Sequence, residues 1–314
     1  MLEYKESLQM KKVIVVAMAL LASSAQATSG LDFGDINYFL KSGQYNLTTD
    51  MAVVNIETQD ESSGNKFETN GYVFTNTIGY GIADNLNAFV GLDYAFKYKT
   101  ELPGSSDSDN SGISNPYLGV NYRLVNQSNS LVNVDFGAVA RIKAMDAEYG
   151  SVGKDGNFNQ GHHSLELNTR IGRKWNEANE WQFAAGAIYN MDGTFKAKGG
   201  LSDNVDTDAR TDFFLRSSYQ YRPVQEFMMN VFAQAMFVGQ QQSKTDGNIK
   251  IKDDRYMDLN FGFTAKYLIT ESLIFKFNYR LNHLAEFDRD VAGTKSEQKN
   301  RFANSYGFGL DYLF

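Results

Sequence analysis

The sequence predicts an all-β transmembrane protein, an antiparallel up-and-down β-barrel of twelve strands with short turns at one end and longer loops at the other. Three observations predict it. Apolar and polar residues alternate with period 2 from about residue 44 onward. The connections between the alternating runs are short and long in turn. Aromatics make up 14% of a chain whose mean hydropathy is only −0.40. A soluble core seldom needs so many rings beside so many Asn, Asp and Gly, whereas a barrel with a greasy outside and a wet inside does.

The N-terminus reads as an export signal rather than as part of the fold. Met10-Lys11-Lys12 is a short basic start, Val13 to Ala22 is apolar, and Ala25-Gln26-Ala27 carries small residues at a cleavage site. Residues 1–27 are therefore expected to be a signal peptide, with Met10 as an alternative start. No other run approaches the ~18 consecutive apolar residues of a membrane helix. Entry into a membrane then requires a closed barrel, the other arrangement that satisfies the backbone in lipid. Residues 28–43 are an N-terminal periplasmic or lumenal segment. Leu31, Phe33, Ile36, Tyr38, Phe39 and Leu40 make it too apolar for a plain tail, so it either extends the first strand or folds inward as a small plug.

The barrel is expected over residues 44–314. Its strands fall near 44–57, 67–82, 87–100, 115–125, 131–145, 163–175, 181–196, 208–221, 227–242, 255–268, 273–285 and 301–314. Residues two apart on a strand point the same way. In the third strand Ala88, Val90, Leu92, Tyr94, Phe96 and Tyr98 share an apolar face, and Asn87, Gly91, Asp93, Ala95, Lys97 and Lys99 share a wet one. Leu273, Phe275, Phe277, Tyr279 and Leu281 likewise oppose Ile274, Lys276, Asn278, Arg280 and Asn282. A helix would scatter these residues around its axis. Turns near 83–86, 126–130, 176–180, 222–226 and 269–272 alternate with loops near 58–66, 101–114, 146–162, 197–207, 243–254 and 286–300. That asymmetry fits periplasmic turns and extracellular loops. Tyr80, Tyr122, Trp181, Tyr219, Tyr221, Phe227, Tyr267, Phe275, Tyr312 and Phe314 gather near the turn ends, where rings favour a membrane–water boundary.

The closing run Tyr306-Gly307-Phe308-Gly309-Leu310-Asp311-Tyr312-Leu313-Phe314 resembles the C-terminal signature of Gram-negative outer-membrane barrels. The resemblance implies the cell outer membrane as location, with lipid and lipopolysaccharide as surroundings. It also implies recognition by the barrel assembly machinery, with Tyr312 and Phe314 as the assembly signal. Gly81-Ile82-Ala83-Asp84-Asn85-Leu86 and Asn115-Pro116-Tyr117-Leu118-Gly119-Val120-Asn121-Tyr122-Arg123-Leu124 are similar to segments of an outer-membrane transporter family linked to phenol and aromatic degradation. The longer fatty-acid-transport barrels carry an extended N-terminal hatch, for which residues 28–43 are too short.

If the apolar face meets lipid, the other face lines the interior. Its basic candidates are Lys97, Lys99, Arg123, Arg141, Lys143, Arg170, Lys174, Arg216, Lys266, Lys276 and Arg280. Its acidic candidates are Asp93, Asp135, Glu166, Asp212, Asp258 and Asp311. Basic groups outnumber acidic ones inside a chain whose formal charge is −7. In one reading these groups set a field in a water-filled pore, passing small polar or anionic solutes by diffusion. In the other they pair across strands and close a narrow lumen, giving a structural or adhesive barrel. Twelve strands permit both.

Chemistry finds less support. The acidic balance argues against a nucleic-acid binder, and the absence of Cys removes disulfides and thiolate catalysis. An outer-membrane lipid hydrolase or protease needs a nucleophile, a base and an orienting group. His162, His163 and His283 carry no matching motif, and His162-His163 alone offers too few ligands for a metal. No catalytic residue, cofactor or metal site is assigned.

Overall fold

The computed structural model describes residues 35–314 except 60–65, 102–107, 150–157, 159–160, 198–203, 247–248 and 299–300. The expected signal peptide lies outside the described residues. Twelve long strands form one closed antiparallel barrel. They are β1 (Tyr45–Gln59), β2 (Lys66–Ala83), β3 (Leu86–Glu101), β4 (Tyr117–Val125), β5 (Asn133–Arg141), β6 (Ser164–Asn176), β7 (Asn179–Asn190), β8 (Arg210–Val224), β9 (Phe227–Val238), β10 (Tyr256–Thr270), β11 (Leu273–Leu284) and β12 (Arg301–Leu313). Each pairs with its neighbour in sequence, and β12 pairs with β1 from Asn46↔Leu313 to Glu57↔Phe302. Closure leaves no long sheet edge unpaired.

The register sorts the side chains by face. On β4, Leu118, Val120, Tyr122 and Leu124 are exposed, while Tyr117, Gly119 and Arg123 are buried. The exposed set continues around the wall through Phe136, Leu167, Leu215, Val231, Phe261, Tyr279 and Phe308. Such a belt is costly in water and suited to lipid. Near the turn end it finishes in rings: Tyr45 lies 4.5 Å from Tyr80 and 5.5 Å from Phe314, centroid to centroid.

Inside, several large rings fit over cross-strand glycines. A Cβ placed on Gly91 would come within 2.2 Å of the Tyr117 ring, one on Gly119 within 2.3 Å of Phe89, and one on Gly262 within 2.0 Å of Phe232. The wall is thus packed by rings seated where no side chain stands. Gly91→Ala is expected to destabilise the barrel by about 1–3 kcal/mol, the usual cost of overpacking. The midpoint of unfolding in urea checks this, and adding Tyr117→Ala should recover part of the loss.

Two expectations need correction. Tyr98 does not share the face of Phe96. The β2–β3 register slips between Asn70 and Tyr72, and Lys97 takes a left-handed φ of 51°. This bulge places Tyr98 over Gly71, whose added Cβ would meet it at 2.7 Å. Lys99, paired with Asn70, therefore lies on the outer face, and Lys97 is exposed within the bulge. Both were expected inside. An extra residue in one strand exchanges the faces of everything beyond it.

The loops at the far end are also more ordered than polar connections. Seven short strands form a second sheet beyond the barrel: Ala147–Tyr149, Gly193–Ala197, Val205–Thr207, Gln241–Thr245, Lys250–Asp253, Phe287–Val291 and Thr294–Gln298. Six of them extend the β7–β8, β9–β10 and β11–β12 hairpins past the belt as a wall, and Ala147–Tyr149, from the β5–β6 connection, pairs parallel with Gly193–Ala197. Neither face of this wall shows the apolar alternation of a lipid-facing strand, so these stretches read as loops. Asp146 at its foot bonds Lys196 and Lys143 at 2.6 and 2.9 Å. Those ammonium groups lower the Asp146 pKa from 3.8 to about 2.

Candidate functional site in the lumen

The inner face carries three layers. At the turn end, residues 35–44 fold into the barrel. The Asp35 carboxylate accepts from Arg222, from Lys174 Nζ at 3.0 Å and from Gln220 Nε2 at 3.2 Å. Asn37 donates through its backbone N and its Nδ2 to Glu180 Oε2, both at 3.3 Å, and its carbonyl accepts from Arg123 Nη2 at 2.9 Å. The Arg123 guanidinium also stands 4.6 Å from the Phe39 ring centroid. Leu40 packs with Met228, Ile274 and Leu313 in a small apolar cluster. Glycines let this segment lie flat on the wall. An added Cβ at Gly172 would meet Asn37 Oδ1 at 1.7 Å, and one at Gly81 would meet the Lys41 carbonyl at 1.9 Å. The segment is a plug held by charge, backbone and a greasy foot.

Above and beside the plug lies a charged layer that is mostly paired. Arg123 forms a two-point contact with Asp135 at 2.8 and 3.1 Å. Lys276 bridges Asp50 at 3.1 Å and Asp311 at 2.8 Å. Arg141 reaches Asp93 at 3.5 Å and lies 4.7 Å from the Tyr117 ring, whose hydroxyl bonds Thr77 at 2.6 Å. Asp258 accepts from Asn282 at 3.1 Å, and Glu166 accepts from Asn168 at 2.8 Å. Arg170 donates to Asn121 at 2.6 Å, and Arg216 donates to Ser218 at 3.3 Å. Arg170, Arg216 and Arg280 form no ion pair among the described residues.

The third layer lies at the loop end. A cavity of about 630 Å³ there is lined by His162, Asn190, Thr207, Arg210, Asp253 and Arg289, among others. Arg210 pairs with Asp212 at 2.9 Å and Arg289 with Asp253 at 2.6 Å. The histidines are dispersed. His162 Nε2 lies 3.2 Å from Asn190 Oδ1, the backbone N of Lys143 donates to His163 Nδ1, and His283 packs against Phe302 on the outer face.

Of the interior candidates, Arg123, Arg141, Arg170, Arg216, Lys276, Arg280, Asp93, Asp135, Glu166 and Asp258 all fall at inward register positions, and Lys97 does not. Asp35, Asp50, Glu180, Gln220 and Arg222 also face the interior. Parity along β7 and β8 marks Glu180, Gln220 and Arg222 as inward, so that signal was available. Asp35 and Asp50 were not, because the first lies before any strand and the first strand alternates weakly.

Comparison with known proteins agrees with this architecture. Residues 39–286 match the family model described as "Putative MetA-pathway of phenol degradation". Among solved structures, an outer membrane channel from Pseudomonas putida F1 is similar, with 15% identity over 90% of this chain and 98% of that one and a TM-score of 0.58. The NanC porin follows with 9% identity, 84% and 98% coverage and a TM-score of 0.48. The outer membrane protease OmpT from Escherichia coli shows 9% identity, 89% and 99% coverage and a TM-score of 0.38. At these values the first likeness concerns the fold alone, and the other two carry no argument. No curated protein matches the chain.

Proposed function

This chain belongs to the family described as "Putative MetA-pathway of phenol degradation", and from that premise we propose that it is an outer-membrane channel for diffusion of small polar solutes, with anions preferred. The observation that carries the reading is the division of the lumen. The plug and its ion pairs sit at the turn end and narrow it. Among the described residues the plug's contacts run to Arg123, Lys174 and Arg222 and not to Arg141, Arg170, Arg216 or Arg280. Arg170, Arg216 and Arg280, with no ion pair among the described residues, therefore line the middle of the barrel beyond the plug. Fixed charge in a narrow pore raises the local concentration of counter-ions and sets its selectivity.

The alternative is a barrel that stays shut, with loops serving a partner. The plug is the observation that favours it. Both readings place the belt in lipid beside lipopolysaccharide, and Tyr312 and Phe314 at the seam read by the assembly machinery. Planar-bilayer recording separates them. The channel reading expects discrete conductance steps, and under a potassium chloride gradient a reversal potential on the chloride side. A folded barrel silent across the accessible voltages would reject it. Because the plug narrows the path, the steps of the unmodified protein are expected to be small.

A further inference from the structure

We propose that Arg216 and Arg280, flanking the Phe232 ring on the lumen wall, form a binding site for a small carboxylate that carries a planar apolar body. The inference deepens the channel reading and rests on it for access to the lumen.

The site spans four adjacent strands. Across β8 and β9, Arg216 is level with Gln234 and Ser218 with Phe232. Across β9 to β11, Phe232 is level with Gly262, and Gly262 with Arg280. Gly262 has no side chain, so the Phe232 ring occupies its place and lies toward Arg280. The Arg216 guanidinium stands 4.0 Å from the centroid of that ring. One guanidinium thus lies on the ring, and Arg280 stands at the strand position beside the glycine that the ring covers. Arg170 adds a third charge, separated from Arg216 by the small buried Ala184 in the same row. Arg216 lies within electrostatic reach of both Arg280 and Arg170, with Glu166 the acidic group nearby.

Like charges in a confined lumen oppose one another and are costly when withdrawn from water. Elsewhere in this barrel that cost is met inside the chain: Arg123, Arg141, Arg210 and Arg222 each hold a carboxylate. Arg216 and Arg280 do not, among the described residues. Arg170 Nε is buried with no partner. The fork of a guanidinium matches the two oxygens of a carboxylate. Phe214 is buried on the same face two residues from Arg216, and Met236 is its partner on β9. These apolar neighbours suit a ligand with a flat greasy portion more than a bare inorganic ion.

The test is titration calorimetry on the full-length, detergent-solubilised barrel with sodium benzoate as probe. Acetate and inorganic phosphate serve as comparisons. Benzoate is expected to bind more tightly than either. Arg216→Gln and Arg280→Gln should each weaken it roughly tenfold or more, the usual effect of losing a charge-assisted hydrogen bond. Arg216→Lys, which keeps the charge but loses the fork, should fall between. Arg173, level with Trp181 on the outer face, carries an equal charge, and Arg173→Gln should change nothing. Heat-modifiable mobility on gels identifies the folded variants. Equal binding in wild type and both glutamine variants would overturn the proposal, as would phosphate binding more tightly than benzoate. Calorimetry needs no conduction, so the two readings fail separately. Benzoate binding by a silent barrel would reject the channel and keep the site. Conductance without benzoate binding would keep the channel and reject the site.

Discussion

Replacing Asp35 with alanine is expected to raise single-channel conductance severalfold. Asp35 is the carboxylate that Arg222 and Lys174 share, and the side chains of Asp35 and Arg222 are only 6% and 7% exposed. Removing one partner of a buried ion pair costs about 3–5 kcal/mol, because the remaining charge stays withdrawn from water. The penalty falls on the docked state of the plug alone, since an undocked plug leaves Arg222 and Lys174 facing the lumen water. The other attachments are Arg123 on the Asn37 carbonyl and the Phe39 ring, Asn37 on Glu180, and Leu40 in its small apolar cluster. The plug should then spend much of its time away from the wall. Asp35→Asn keeps the shape, loses the charge and should give a smaller rise. Bilayer recording checks both, and step sizes equal to wild type in both variants would show that the plug is not the barrier to conduction.

Phe314→Asp is expected to lower the amount of assembled barrel about tenfold while leaving the conductance of the assembled fraction unchanged. Phe314 sits at the seam where the two ends of the sheet meet. Its carbonyl accepts from Tyr45 N at 2.7 Å and its N donates to the Tyr45 carbonyl at 2.9 Å. Its ring stacks on Tyr45 and on Tyr312, both at 5.5 Å. An aspartate keeps the backbone bonds, loses both ring contacts and puts a charge on the outer wall. Near the membrane boundary that charge alone costs roughly 0–1 kcal/mol. The larger effect falls on closure, because an unclosed sheet exposes two edges at once. Heat-modifiability in outer-membrane fractions reads the assembled amount. Normal accumulation of the variant would show that neither the stack nor the seam position governs assembly.

Both expectations depend on how the chain closes on itself, and the sequence was uneven in what it disclosed about that. Strand count and the turn positions were legible because lipid on one side and water on the other impose an apolar–polar period of 2. Leu118, Val120 and Tyr122 against Gly119, Asn121 and Arg123 show the principle at its plainest. The raised wall was not legible for the same reason reversed. Gln241–Thr245 and Lys250–Asp253 have no lipid face, so a paired strand and a polar loop look alike. The Lys97 bulge was hidden because nothing in Phe96-Lys97-Tyr98 distinguishes a residue that shifts the register from one that keeps it.

By itself, then, the sequence determined the class of fold, the number of long strands and the faces of most of them. Those properties are local, repeated along the chain and enforced at each strand by the same contrast between lipid and water. Only the tertiary structure decided which charges meet. Asp35 reaches Arg222 across 187 positions and Lys276 reaches Asp50 across 226. Such pairings follow from the register of strands far apart in sequence, and no periodicity encodes them. The same closure decided that residues 35–44 plug one end, and that Arg216 lies on the Phe232 ring with Arg280 two strands away, neither holding a carboxylate among the described residues.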